Sequence, residues 1–185
     1  MKKISVLAMV MMFGISGSAL ATAPDRVGKV DLGGYVAGAF NDNSIDDAAY
    51  VGLNMSYGVT PWIALGVEGG WQQGEHESEP GEVGIANIMG DVILRWHIEG
   101  QEFVPYGVLG LGAASGYASI EDRDDRDDSA FAWKLGGGVD WFVNSNWALN
   151  FEASWTDPGD LPSGSTANDD LDYVAVGGGI KYLFG

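Results

Sequence analysis

The sequence predicts an all-β fold, an eight-stranded antiparallel up-and-down transmembrane β-barrel, and three observations carry that reading. Beyond residue 29 the chain divides into eight segments of roughly ten to fourteen residues that alternate large apolar positions with small or polar ones, without sustained helical periodicity. The connections alternate between short turns and longer, strongly polar loops, so the chain goes up and down with its short turns on one side. Large aromatic residues gather at both ends of the segments, as amphipathic rings do at the two interfaces of a bilayer.

The first stretch, MKKISVLAMVMMFGISGSALATA, is not part of the fold. Lys2 and Lys3, an apolar run from Ile4 to Ile15 and the exit Ala19-Leu20-Ala21 have the build of a secretory signal peptide. Cleavage is expected after Ala21, because a cut after Ala23 would leave Pro24 next to the scissile bond. Residues 1–21 are then a cleaved leader and residues 22–185 the barrel domain. With no cysteine, the exported chain relies on closed backbone hydrogen bonding and packing, and a disulfide-stapled fold is excluded. The mature chain keeps 7 basic and 26 acidic residues, a net charge of −19, which excludes nucleic acid as a natural partner.

The first segment, near 30–40, ends on Phe40, and the polar connection 41–47 follows. Segment two, near 48–58, sets Tyr50, Gly52, Asn54 and Ser56 on one face and Val51, Leu53, Met55 and Tyr57 on the other. A short turn, GVTPW, leads to segment three, near 63–73, where Ala64, Gly66, Glu68, Gly70 and Gln72 oppose Ile63, Leu65, Val67 and Trp71. A soluble sandwich would turn long polar side chains to water on its second face. Small residues punctuated by single polar ones fit the cramped interior of a narrow barrel instead.

After the loop 74–83 comes segment four, near 84–97, then the turn IEGQEF and the glycine-rich segment five, near 104–118. Loop 119–128 leads to segment six, near 129–142, and the turn VNSNW to segment seven, near 147–157. Segment seven repeats segment three: ALGVEGGW and ALNFEASW share Ala-Leu, an apolar residue, Glu and Trp at the same spacing. Both are therefore ascending strands after a short turn. Loop 158–170 precedes segment eight, near 171–184. Tyr57, Trp62, Trp96, Phe103, Tyr106, Trp141, Trp147, Tyr182 and Phe184 are expected at the short-turn girdle. Phe40, Trp71, Phe131, Trp133, Trp155 and Tyr173 are expected toward the long loops.

The same alternation assigns the lumen Glu68, Asp91, Arg95, Lys134, Asp140, Glu152 and Lys181, with Asn54, Asn87 and Asn150. Four acids face three bases, which suits a confined space where charges must pair. Such a network plugs the lumen; the alternative is a narrow ion path gated by the pairs. Glu152 needs a cation, and Lys134, Arg95 and Lys181 are the candidates. The four long loops hold 16 acids against Arg123 and Arg126. The densest stretch, EDRDDRDD, offers Glu121, Asp122, Asp124, Asp125, Asp127 and Asp128 as a weak site for Ca²⁺ or Mg²⁺, although it lacks the glycine and closing glutamate of an EF-hand loop.

The C-terminal GGIKYLFG places Gly179, Tyr182 and Phe184 in a Gly-x-x-aromatic-x-aromatic arrangement that resembles the assembly signal of bacterial outer-membrane barrels. With FVPYGVLGLGAASGY, the Gly136-Gly137-Gly138 run and the NSNWALNFEASW hairpin, the chain resembles the small OmpA-like and OmpX-like outer-membrane β-barrel superfamily over the whole mature length. Gly177 at a usually polar position of the signal, and Gly185 beyond the final aromatic, depart from that pattern. The resemblance implies location in the bacterial outer membrane, contact with lipid and lipopolysaccharide, and delivery by the barrel-assembly machinery. No peptidoglycan-binding domain follows, so wall anchoring is not implied; a monomer is expected. No resident cofactor is expected. His76, among loop glutamates, and His97 have no serine at a spacing that activates a nucleophile, segment eight lacks His and Ser, and residues 22–29 are too short for the leading helix of barrel palmitoyltransferases. An enzyme is therefore not expected. The expected role is structural and interactive: envelope integrity, with acidic loops meeting lipopolysaccharide, cations or external ligands.

Overall fold

The computed structural model describes residues 22–41, 48–75, 81–96, 100–120, 126–159 and 172–185. The expected leader, 1–21, lies outside the described residues, as do 42–47, 76–80, 97–99, 121–125 and 160–171. Eight strands follow in order: β1 (Val30–Asn41), β2 (Ala48–Gly58), β3 (Ile63–Glu75), β4 (Gly81–Arg95), β5 (Phe103–Ile120), β6 (Arg126–Phe142), β7 (Trp147–Asp157) and β8 (Tyr173–Phe184). Each pairs antiparallel with the next, and β8 returns to β1 from Val30↔Phe184 to Asn41↔Tyr173, so the sheet closes. Closure leaves no edge strand. In hydrocarbon each unpaired backbone group costs several kcal/mol, so an eight-strand sheet that spans a bilayer must take this form.

Four strands, β3 to β6, run two or three residues beyond an expected end. The β3–β4 ladder continues to Glu75↔Glu82, and the β5–β6 ladder to Ala118↔Arg126. The sequence reading stopped each strand where the apolar alternation stopped. An antiparallel ladder does not need that alternation once it has left the bilayer, because backbone pairing is indifferent to side-chain polarity. The connection expected at 119–128 therefore shrinks, and Asp127 and Asp128 belong to β6, opposite Tyr117 and Gly116.

The faces divide as the period of two requires. On β3, Ala64, Glu68 and Gln72 are buried while Leu65, Val67 and Trp71 are exposed; on β2, Leu53 is the most open at 67%. The exposed wall is a belt of Leu, Val, Ile, Met and Phe, including Val36, Ile88, Leu111, Leu135, Phe151 and Ile180. A large apolar surface of this kind is stable only against lipid. Rings pack at its rims: Trp147 lies edge-on to Tyr182, Tyr182 to Phe184, and Trp133 to Trp155, with centroids 4.7, 4.6 and 4.5 Å apart.

Two aromatics depart from the expected girdles. Tyr106 and Tyr173 are buried inside the barrel, because each shares strand parity with lumen-facing neighbours, Val104 and Val108 for the one and Ala175 for the other. Nearness to a strand end suggested an interface; parity decides the side.

The short-turn end is closed by residues 22–29. Ala23 is buried with Val104, Phe142 and Ala148, and its N–H donates to the Gln101 carbonyl at 2.9 Å. Val27 forms a parallel bridge to Gly58, and Gly28, at φ 74°, turns the chain and donates to the Gly58 carbonyl at 2.8 Å. At the turns on this side Thr60 Oγ1 accepts from the N–H groups of Trp62 and Ile63, and Asn144 Oδ1 from those of Asn146 and Trp147. These side chains complete backbone groups that the ladder leaves open.

Candidate functional site

The candidate site is the lumen, where polar side chains form two linked layers. In the layer at the short-turn end, Asp31 Oδ2 receives Arg26 Nη2 at 2.6 Å, Arg95 Nη2 at 2.7 Å and Ser56 Oγ at 3.1 Å. Asp140 receives Arg26 Nη1 at 2.8 Å on one oxygen, and Lys181 Nζ and Asn150 Nδ2 at 2.9 Å on the other. The Arg26 guanidinium also lies 5.3 Å from the centre of the Phe142 ring, and Lys181 Nζ 4.6 Å from that of Tyr106.

The second layer, deeper in the barrel, centres on Lys134. Its ammonium is 2.7 Å from Glu68, 3.8 Å from Asp91 and 3.9 Å from Glu152. Tyr35 donates to Glu68 Oε1 at 2.8 Å, and Tyr50 Oη stands 3.3 Å from the same oxygen. Tyr106 donates to Glu152 Oε2 at 2.6 Å. Asn150 joins the layers, since its amide donates to both Tyr106 and Asp140. Beyond Glu68 the polar chain continues through Tyr50 and Asn87 to Tyr173.

Interior glycines make room for these groups. The Tyr35 ring lies against Gly52 and the Tyr50 ring against Gly70, where a β-carbon would overlap it. A β-carbon at Gly110 would stand 2.5 Å from Asp91 Oδ1. Gly110 pairs with Asp91 on one side and Lys134 on the other, so it lets an acid and a base from β4 and β6 reach across β5. This is the physical reason that a membrane barrel carries glycine inside strands.

All seven charged residues expected in the lumen are there, with Asn54, Asn87 and Asn150 half-buried or buried among them. Of the three cations considered for Glu152, Lys134 is the one that approaches, and a tyrosine hydroxyl does more of the hydrogen bonding. Among the described residues two charged members were missed. Asp31 and Arg26 raise the interior to five acids and four bases. Asp31 followed from the parity of β1; Arg26 had no such signal, because it lies in irregular chain before the first strand.

Of the acidic loop, Glu121, Asp122, Asp124 and Asp125 lie outside the described residues, as do His76 and His97. Among the described residues no group of three or more His, Asp or Glu is arranged to hold a metal ion. Gly179 pairs with Tyr35 in the closing seam, Tyr182 packs between Trp147 and Phe184, and Phe184 is exposed.

The fold recurs in solved structures. Neisserial surface protein A is 14% identical with a TM-score of 0.64, over 84% of this chain and 96% of that one. The N-terminal β-barrel domain of Pseudomonas aeruginosa OprF is 16% identical with a TM-score of 0.59, over 85% and 98%. Yersinia pestis Ail, solved with the heparin analogue sucrose octasulfate, is 18% identical with a TM-score of 0.53, over 84% and 97%. No curated protein matches in sequence. Residues 5–184 match the family described as the outer membrane protein beta-barrel domain. A closed eight-stranded sheet with an apolar outer belt, a charged lumen and that family match places this chain in the bacterial outer membrane, as a member of the outer membrane protein beta-barrel domain family.

Proposed function

We propose that the protein is a non-catalytic, plugged barrel that stabilises the envelope and carries acidic connections to the outer surface. The observation that carries this reading is the lumen: Lys134, Arg95, Arg26, Asp31, Asp140 and Glu68 are all at least 95% buried and joined in ion pairs of 2.6–2.8 Å. A hydrated path for ions would need these pairs to part, against the attraction of opposite charges in a low-dielectric interior. Residues 22–29 add a second seal at the short-turn end.

The outer connections meet lipopolysaccharide through divalent ions held by carboxylates, with Glu121, Asp122, Asp124, Asp125, Asp127 and Asp128 the densest group. A polyanion such as the heparin analogue bound by Ail is disfavoured here, because the long connections and the strand ends beside them hold 16 acids and two arginines. The chain works as a monomer, leaves its leader after Ala21, and is delivered by the barrel-assembly machinery through Gly179, Tyr182 and Phe184.

Planar-bilayer recording tests the plug. Folded wild-type protein is expected to give no steady single-channel conductance. A steady conductance whose ion selectivity changes in Lys134→Ala would overturn the plug in favour of a narrow channel.

A further inference from the structure

The charges of the lumen do not balance. Around Lys134 stand three carboxylates, Glu68, Asp91 and Glu152, whereas the layer below has Arg26, Arg95 and Lys181 against Asp31 and Asp140. Among the described residues the deeper layer is short of two positive charges, the lower layer has one in excess, and the two layers together lack one. An uncompensated charge this far from water is costly. The deficit has a place: Asp91, 6% exposed, has Oδ1 buried without a hydrogen-bond partner, and so has Glu152 its Oε1. Both residues line the same cavity, about 20 Å³ in volume, with Glu68 and Asn54 and with Lys134 and Lys181 also on its wall, so that three carboxylates there meet two ammonium groups. That volume holds a body about the size of one water molecule.

We propose that this cavity binds one small monovalent cation of sodium size, held by the carboxylates of Asp91 and Glu152. One such ion brings the two layers to neutrality and fills the acceptor capacity of two buried oxygens. A divalent ion fits less well: it would leave these layers with a net positive charge, and no three carboxylates here form a cage. The neighbouring ammonium of Lys134 also repels a doubly charged ion more strongly. The site lies within the barrel, apart from the acidic outer connections.

The test compares thermal unfolding of folded wild-type protein in sodium chloride and in N-methylglucamine chloride at equal ionic strength and pH. At a tenfold excess over half-saturation, sodium is expected to raise Tm by about 3–6 °C, and Asp91→Asn to remove that rise. Equal Tm values in the two salts overturn the proposal, and so does a Tm that follows pH but not sodium, which would assign a proton to the site. A sodium effect that persists in Asp91→Asn also overturns it, because the effect then belongs to the outer carboxylates. Should Asp91→Asn not fold, Glu152→Gln is read in the same way. Wild-type crystals soaked in thallium(I), an anomalous scatterer that replaces monovalent cations, must then show a peak between Asp91 and Glu152. Its absence refutes the site.

Discussion

Replacing Lys134 by methionine keeps most of the side-chain volume and removes the charge around which the deeper layer is built. Lys134 is 2% exposed, and its ammonium stands within 4 Å of three carboxylates, of which Glu68 is in direct contact at 2.7 Å. Tyr35 still donates to Glu68 and Tyr106 to Glu152, so two acids keep a hydrogen bond, whereas Asp91 Oδ1 keeps none. Breaking a buried pair by removing one partner costs about 3–5 kcal/mol, and the surviving tyrosine bonds argue for the lower half of that range. Urea unfolding of the protein in phospholipid vesicles, followed by tryptophan fluorescence, measures the loss. Adding Glu68→Gln to Lys134→Met is expected to recover about 1–2 kcal/mol, because removing both partners leaves fewer unpaired charges. A loss below about 1 kcal/mol in the single variant, or no recovery in the double, would show that the deeper layer is not an electrostatic unit.

Gly70→Ala sets a methyl group where the Tyr50 ring lies and is expected to destabilise the barrel by about 1–3 kcal/mol. Combining it with Tyr50→Leu should relieve the overlap, and a double variant no better than the single would mean that Tyr50 is not what Gly70 accommodates. Leu53 is at the middle of β2 on the outer wall, so Leu53→Arg is expected to cost about 2–4 kcal/mol in vesicles. The same change in detergent micelles, which deform around a charge, should cost less, and equal small losses in both would argue against a lipid-facing position.

Much of this architecture was legible because a strand has a period of two. Once Leu149 and Phe151 are assigned to lipid, Glu152 must face inward, and the same step orients Glu68, Lys134 and Asp140. Parity says which side a residue takes but not what it meets. That depends on the stagger between strands, so Lys134 could not be separated from Arg95 and Lys181 as the neighbour of Glu152. Tyr106 and Tyr173 were misplaced where position along a strand was allowed to outweigh parity. Arg26 was invisible for a different reason: it lies outside every periodic segment, and its role comes from the fold of residues 22–29 into the barrel mouth. The extra length of β3 to β6 was hidden because the apolar signal reports the bilayer and not the ladder.

The two ion pairs of Arg26 also impose an order on folding. Its partner Asp31 is a neighbour in sequence, but Asp140 lies 114 residues away on β6. The guanidinium can therefore bridge the two acids only once β1 and β6 have both taken their places in the wall, and contacts of such high sequence separation form slowly. Residues 22–29, which precede every strand in sequence, have to wait for β6 before Arg26 can make both pairs. Their seating marks a late event in assembly, and a barrel that stalls partway keeps residues 22–29 open to proteases.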